Sequence, residues 1–327
     1  MATIIETRAG SAERPGPRPV SMAALEEAAL EIMRRAAIDI PDDYKSGIRA
    51  MMEAEEEELP RFVLQSMLEN WEAASGDRRA MCADTGLPRY FVKCAEGAWP
   101  EGGFVRLEGA LRRATARATR EVPLRPNRVH PLTRKDLNNN VGIGAPEIEY
   151  AFEPGGDWID LTTVHKGGLF GSDYRMLFPG DGVDGIKRMF LDTLVQFGRR
   201  GLACQPAIVG VGLGGSKDIA MTLGKKAACL RTVGSANPDP EIAELEAELK
   251  ALGNSIGMGP MGFVGKSMVV QCNVEVAYTH TGGMPMSVHC FCLSSRRATA
   301  RVFPDGRIEY RSDPMWFTDH MRREEVE

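Results

Sequence analysis

Ala24, Leu25, Ala28, Ile32 and Met33 recur at three- and four-residue spacing, so residues 21–37 form one apolar face of a helix that Pro41 stops. A second helix is predicted from Asp42 or Asp43 to Met52. The acidic run 53–58 precedes Leu59, Phe62, Val63, Met67 and Trp71, which continue a helical stripe past Pro60, a residue tolerated in a first turn. Its charges read as the solvated face of that helix. After Arg79 the pattern changes to short apolar runs between turn residues, and 90–92, 148–152, 158–164, 207–211, 268–276 and 287–293 are predicted strands. Helical patterns over 107–122, 184–199, 217–230 and 240–252 lie between them. The mixture predicts an α/β (α+β mixed) fold, with a helical N-terminal segment packed on a mixed sheet with flanking helices. Residues 125–145, rich in Asn, Pro and Gly, form a long loop of the kind that often carries function.

Composition narrows the function. At roughly 150 residues per domain, 327 residues make one large or two intimately packed domains. A net charge of -5, from 40 Lys+Arg against 45 Asp+Glu, leaves no broad basic field for a nucleic acid or an anionic membrane. Residues 1–20 hold three prolines and no apolar run long enough for a signal peptide, and are expected to be a mobile tail. The uncharged run 276–295 has the length of a membrane span, but His280, His289, Pro285 and paired glycines argue against one. Seven cysteines without an export signal point to reduced thiols and a cytoplasmic chain.

The 35 glycines cluster, most densely at Gly210-Val211-Gly212-Leu213-Gly214-Gly215, between a strand pattern and a helix pattern. This spacing fits a dinucleotide site, yet no acid follows about twenty residues later to take a ribose, and Lys217 is displaced by one from a phosphate loop's position. Nucleotide binding therefore stands as an alternative beside a strand-to-helix turn aimed at some other ligand. Among the cysteines, Cys82, Cys204 and Cys292 fall at turns or strand ends; three thiolates there could hold an iron-sulfur cluster and leave one iron open to substrate. Cys94, Cys229 and Cys272 have apolar neighbours and read as core. A third reading is a non-catalytic interaction subunit binding zinc through His289, Cys290 and Cys292.

Several segments in order carry a resemblance. Cys82-Ala83-Asp84-Thr85-Gly86, Lys166-Gly167-Gly168, Ala203-Cys204-Gln205-Pro206 through Gly212, Gly257-Met258-Gly259-Pro260-Met261-Gly262, and Cys292 with Arg296 resemble the alpha subunit, or N-terminal half, of the iron-sulfur hydro-lyases, the class I fumarases and L-tartrate dehydratases. Pro123-Leu124-Arg125-Pro126-Asn127, Pro179-Gly180-Asp181-Gly182 and Gly234-Ser235-Ala236-Asn237-Pro238 are most similar to the tartrate dehydratase branch. The resemblance implies a 4Fe-4S cluster on Cys82, Cys204 and Cys292, catalytic roles for Asp84 and His280, and substrate contacts from Arg125, Gly167 and Gly168. Arg296, four residues after Cys292, favours that cysteine over Cys290 as the third ligand. Ala83 replaces the family's glutamine, and Leu169-Phe170-Gly171 is less polar than in fumarases, so the hydroxydicarboxylate stays open between L-tartrate and malate/fumarate. The resemblance spans residues 21–301; 302–327 are expected to be an extension. It implies a separate beta subunit, in a hetero-oligomer, that completes the active site.

Overall fold

The computed structural model describes residues 16–122, 124–167, 171–201 and 204–322. The helical N-terminal part comprises α1 (Met22–Ile38), α2 (Asp42–Ala54) and α3 (Glu58–Asp77), with Pro60 in the first turn of α3 as its tolerance there predicts. Before them β1 (Arg18–Val20) pairs in parallel with a short strand at Ala98–Pro100, so the expected tail is ordered at least from Arg18, and residues 1–15 lie outside the described residues. Then follow β2 (Leu87–Ala95), β3 (Ala98–Pro100), α4 (Phe104–Glu121), β4 (Glu147–Glu153), β5 (Ile159–Lys166) and β6 (Ser172–Leu177). The rest of the chain forms α5 (Gly182–Arg200), β7 (Ala207–Gly214), α6 (Lys217–Leu230), α7 (Pro240–Asn254), β8 (Val269–Ala277), β9 (Met284–Phe291), β10 (Arg297–Val302) and β11 (Ile308–Arg311).

Apart from the short parallel pair β1-β3, these strands make two mixed sheets rather than one. The first runs β11-β10-β5-β2-β4 and the second β6-β9-β7-β8. Alternation along β2 sends Tyr90, Val92 and Cys94 into a core with α1 and α4, and Phe91 into a different core on the opposite face. The second sheet buries Val209, Val211 and Val274 against Phe190, Leu194 and Leu249 of α5 and α7. Between the sheets lies a third core in which Tyr44, Trp71, Ala228 and Cys229 meet Phe91, Ile208 and Phe291. The layers are therefore helix, sheet, helix, sheet, helix, and both sheets must be buried on both faces, which accounts for their continuous apolar runs.

Two features fix the central layer. Gly210 and Gly212 of β7 lie so close to α6 that a Cβ on either would strike helix backbone, at Ala228 and Gly224 or at Ala220. Arg297 of β10 donates to both carboxylate oxygens of Asp43 in α2, at 3.0 and 2.9 Å, and Asp43 also accepts from the Val233 amide at 2.8 Å. Removing one partner of such a buried pair costs about 3–5 kcal/mol. The expected C-terminal extension is part of the fold: β11 closes the first sheet, and Trp316 is buried edge-on against Phe91 while Lys93 donates to its carbonyl at 2.8 Å. No described helix is long and apolar enough to cross a membrane.

Candidate active site

The second sheet brings together cysteines that are distant in sequence. β7 and β9 are antiparallel with Ile208 opposite Phe291, so the residues entering β7 and those leaving β9 share one edge. Cys204 and Cys292 lie there, joined by the Leu293 amide donating to the Cys204 carbonyl at 3.0 Å. Cys82 reaches the same place from the loop after α3, which is anchored by Asn70 donating to the Met81 carbonyl at 3.1 Å and the Met81 amide donating to Ala37 at 3.2 Å. The thiol of Cys204 is pushed up by burial first, then by Cys292, Cys82 and Asp84, with Arg296 opposing. Tyr44 of α2 supports this edge from within. Its hydroxyl donates to the Pro206 carbonyl at 2.6 Å, and its pKa is driven far up, by burial and then by Cys292.

Cys82 and Cys204 are exposed; the other five cysteines, Cys292 among them, are buried. Burial pushes Cys94 and Cys290 up to about 12. Among the described residues no three His, Cys, Asp or Glu side chains form a group suited to a single metal ion. His289 and Cys290 also alternate across β9: His289 faces α6 at Gly224, whereas Cys290 packs in the core with α5 and α7. A zinc site from these two and Cys292 gains no support from this arrangement. Three soft thiols fit an iron-sulfur cluster as donor set.

Asp84 is positioned beside the thiols by a small network. Its Oδ1 accepts from Asn127 Nδ2 at 2.8 Å and from the Gly86 amide at 3.0 Å, which closes a local turn. Asn127 also donates to the Gly86 carbonyl at 2.9 Å. The other oxygen, Oδ2, makes no hydrogen bond among the described residues, and a Cβ on Gly167 would lie 3.2 Å from it and 2.6 Å from Arg296 Nη2. Glycine is thus required at 167 by close approach. Arg296 is buried; its Nε donates to the His165 carbonyl at 3.1 Å and its Nη1 to the Asp84 carbonyl. Gly86, at φ +77°, packs against that His165 carbonyl, where a side chain could not enter.

Arg125 is exposed, its amide donating to Thr85 Oγ1 at 2.9 Å and its carbonyl accepting from buried Asn140 at 3.0 Å. Asn140 therefore folds the long loop onto residues 84–86. Gly168 lies outside the described residues. His280 is placed elsewhere: it follows β8, which runs parallel to β7, and its neighbours Tyr278 and Thr279 bond to Gly215 at the far end of β7. Eight strand residues separate the two ends, on the order of 25 Å at ~3.3 Å per residue. The structure does not bring His280 to the cysteines of its own chain. Asn127, Tyr44 and the clamping role of Arg296 were not singled out from sequence. Asn127 closes a quoted motif and could have been, whereas Tyr44 reads simply as a helix core position.

The comparisons identify the family. A family model described as fumarate hydratase (Fumerase) matches residues 26–301. The "Putative L(+)-tartrate dehydratase subunit alpha" of Methanocaldococcus jannaschii is 35% identical over 289 residues, 87% of this chain and 99% of that protein. The L(+)-tartrate dehydratase subunit alpha of Escherichia coli strain UTI89 is 31% identical over 272 residues, 83% of this chain and 88% of its own. The strain K12 protein of the same name is 30% identical over the same length. With Asp84 and Gly167 brought beside the thiols and the match spanning most of the chain, this protein belongs to the fumarate hydratase family of hydro-lyases.

Proposed function

We propose that this chain is the cluster-binding alpha subunit of a cytoplasmic 4Fe-4S hydro-lyase that removes water from a small hydroxydicarboxylate, L-tartrate to oxaloacetate or malate to fumarate. The observation that carries the reading is the gathering of Cys82, Cys204 and Cys292 at one sheet edge beside the unengaged Oδ2 of Asp84. The names of the relatives favour tartrate. The three thiolates would hold the cluster, which when bound supplies a Lewis-acidic iron for the departing hydroxyl.

This chain's own groups do the rest of the positioning. Asn127 and the Gly86 amide fix one oxygen of Asp84, leaving Oδ2 to accept a hydrogen bond from the substrate hydroxyl or to donate its proton as that oxygen leaves. Arg296 pins the Asp84 and His165 carbonyls, and through them the approach of Gly167, where substrate can lie directly on backbone. Arg125, held by its main chain with its side chain exposed, can take a substrate carboxylate in a bidentate pair. His280 can reach substrate only in the site of another copy of the chain.

The base that removes the C–H proton is assigned to a separate beta subunit in a hetero-oligomer. An apolar rim beside the site supports a covering partner: Leu59, Phe62, Met261, Phe263 and Val264 are all exposed, and the Met261 amide donates to Gln205, next to Cys204, at 3.2 Å. The test is an anaerobic assay of tartrate, malate and fumarate, with this chain alone and with its beta partner co-expressed. Activity only in the complex is expected, and its preferred substrate identifies the hydroxydicarboxylate. Full activity from the chain alone would refute the split site.

A further inference from the structure

Behind Gly167 lies a buried patch of positive charge that the thiol site does not use. In the first sheet Lys166 stands opposite Leu87, and Arg89 opposite Val164. Cross-strand partners share a face, so Lys166 and Arg89 project with Val164 and Phe91 into the layer between the sheets. From the other side α6 presents Lys225, beside Gly224, whose missing Cβ makes room for His289 of β9. Arg128 joins from the loop, donating to the Pro88 carbonyl at 3.1 Å.

Lys166 is 3% exposed, and its Nζ has no hydrogen-bond partner among the described residues. The Nε atoms of Arg89 and Arg128 are likewise buried and unpartnered. The carboxylates facing the group are Glu147, 3.3 Å from Arg89, and Glu149, 3.8 Å from Arg89 and shared with Lys226. Four cations thus face two carboxylates, one of which Lys226 also engages. Their mutual pressure shows: Lys225 is pushed down by burial and then by Arg89, and His289 is held neutral, its pKa lowered to about 3 by burial and then by Lys166 and Lys225. A buried ammonium with no partner is strongly unfavourable unless a counter-charge reaches it.

We propose that this cluster is a binding site for a small oxyanion of carboxylate or phosphate type, with Lys166 as its buried anchor and Arg89, Arg128 and Lys225 at its mouth. The anion would order the strand end that leads directly into Gly167. Free phosphate and a dicarboxylate share the required chemistry, so the test separates them.

Thermal unfolding of the full chain is followed at constant ionic strength in chloride, with inorganic phosphate or malonate added. In the wild type at least one of the two raises the midpoint, by about 2 °C for each tenfold rise in anion above its dissociation constant. A rise with phosphate alone identifies an inorganic anion, and a rise with malonate identifies a carboxylate ligand. Lys166→Met and Lys225→Gln are expected to abolish the rise, and Lys166→Met to unfold at or above the wild-type temperature in anion-free buffer, because it removes an unpaired buried charge. Should Lys166→Met fail to fold, Lys225→Gln decides, since its side chain is only partly buried. No rise in the wild type with either anion, or a rise that survives in Lys225→Gln, would overturn the proposal.

Discussion

The two ends of the four-stranded sheet use glycine and reactive side chains in opposite ways. At the end where β7 begins and β9 finishes, Cys204 and Cys292 meet Cys82, and Asp84, Asn127 and Arg296 form a bonded frame around Gly167. At the other end the sequence offers its densest glycine cluster and His280, yet Gly214 abuts the Ala277 carbonyl, Gly215 packs on Ile219, and the His280 ring accepts from the Gly282 amide at 3.0 Å. The glycine pattern that fits a dinucleotide site is a consequence of packing β7 against α6. Glycine at a ligand site and glycine at a close helix-strand contact are alike in sequence; what differs is whether a ligand or backbone fills the vacated space.

Substitution of the thiols should separate the ends most sharply. Cys82→Ser, Cys204→Ser and Cys292→Ser are each expected to abolish iron binding and activity, because a cluster held by three thiolates has no ligand to spare. Cys94→Ser, Cys229→Ser and Cys290→Ser should retain iron. Normal iron in Cys292→Ser with loss in Cys290→Ser would assign the third ligand to Cys290 instead. Asp84→Asn should keep its iron and lose turnover by at least ~100-fold, the scale of a positioned acid-base group. His280→Asn should also keep its iron and lose turnover, but mixed oligomers with Asp84→Asn should recover part of it, since each variant supplies what the other lacks. Loss without recovery would contradict the separation of the two residues across the sheet.

A smaller effect tests the glycine end. Gly210→Ala forces a Cβ into the backbone of α6 and should cost about 1–3 kcal/mol in stability, read from the denaturant midpoint, without changing iron content. Stabilisation of the wild type by a dinucleotide would instead favour a ligand-binding turn. A separate effect is on acid stability. His165 and His289 are held neutral by burial, each with a pKa lowered to about 3, against about 6.5 when unfolded. Above pH 6.5 neither state binds the proton, and the rings contribute nothing. Below it the unfolded chain takes up protons that the folded one refuses, so stability falls toward pH 3, by up to about 1.4 kcal/mol per pH unit for each ring. Urea midpoints at pH 7 and pH 5 measure this, and His289→Gln should flatten the slope.

How much of this was legible in the sequence follows from the range of each signal. The helices at Lys217–Leu230 and Pro240–Asn254 are local periodicities and were read within two residues. Strand β6, with its exposed, mixed positions, and β10, with Arg297 and Arg301 paired to Asp43 and Asp160, carry no apolar run and were missed. The existence of two sheets was hidden for the same reason, since pairing is non-local. At the site, the cysteines could be named because their turn-like settings differ from those of Cys94 or Cys229. Their convergence depends on the antiparallel register of β7 and β9, which no spacing encodes. His280 was grouped with them by resemblance alone, and only the strand directions reveal its distance.

The central claim is that the edge shared by Cys82, Cys204 and Cys292 holds an iron-sulfur cluster. It is tested most directly by reconstituting the full chain anaerobically with iron and sulfide and counting both per chain. About four of each per chain, with broad brown absorbance that disappears in Cys204→Ser, is the predicted result. A colourless protein, or equal iron in wild type and Cys204→Ser, would contradict the claim.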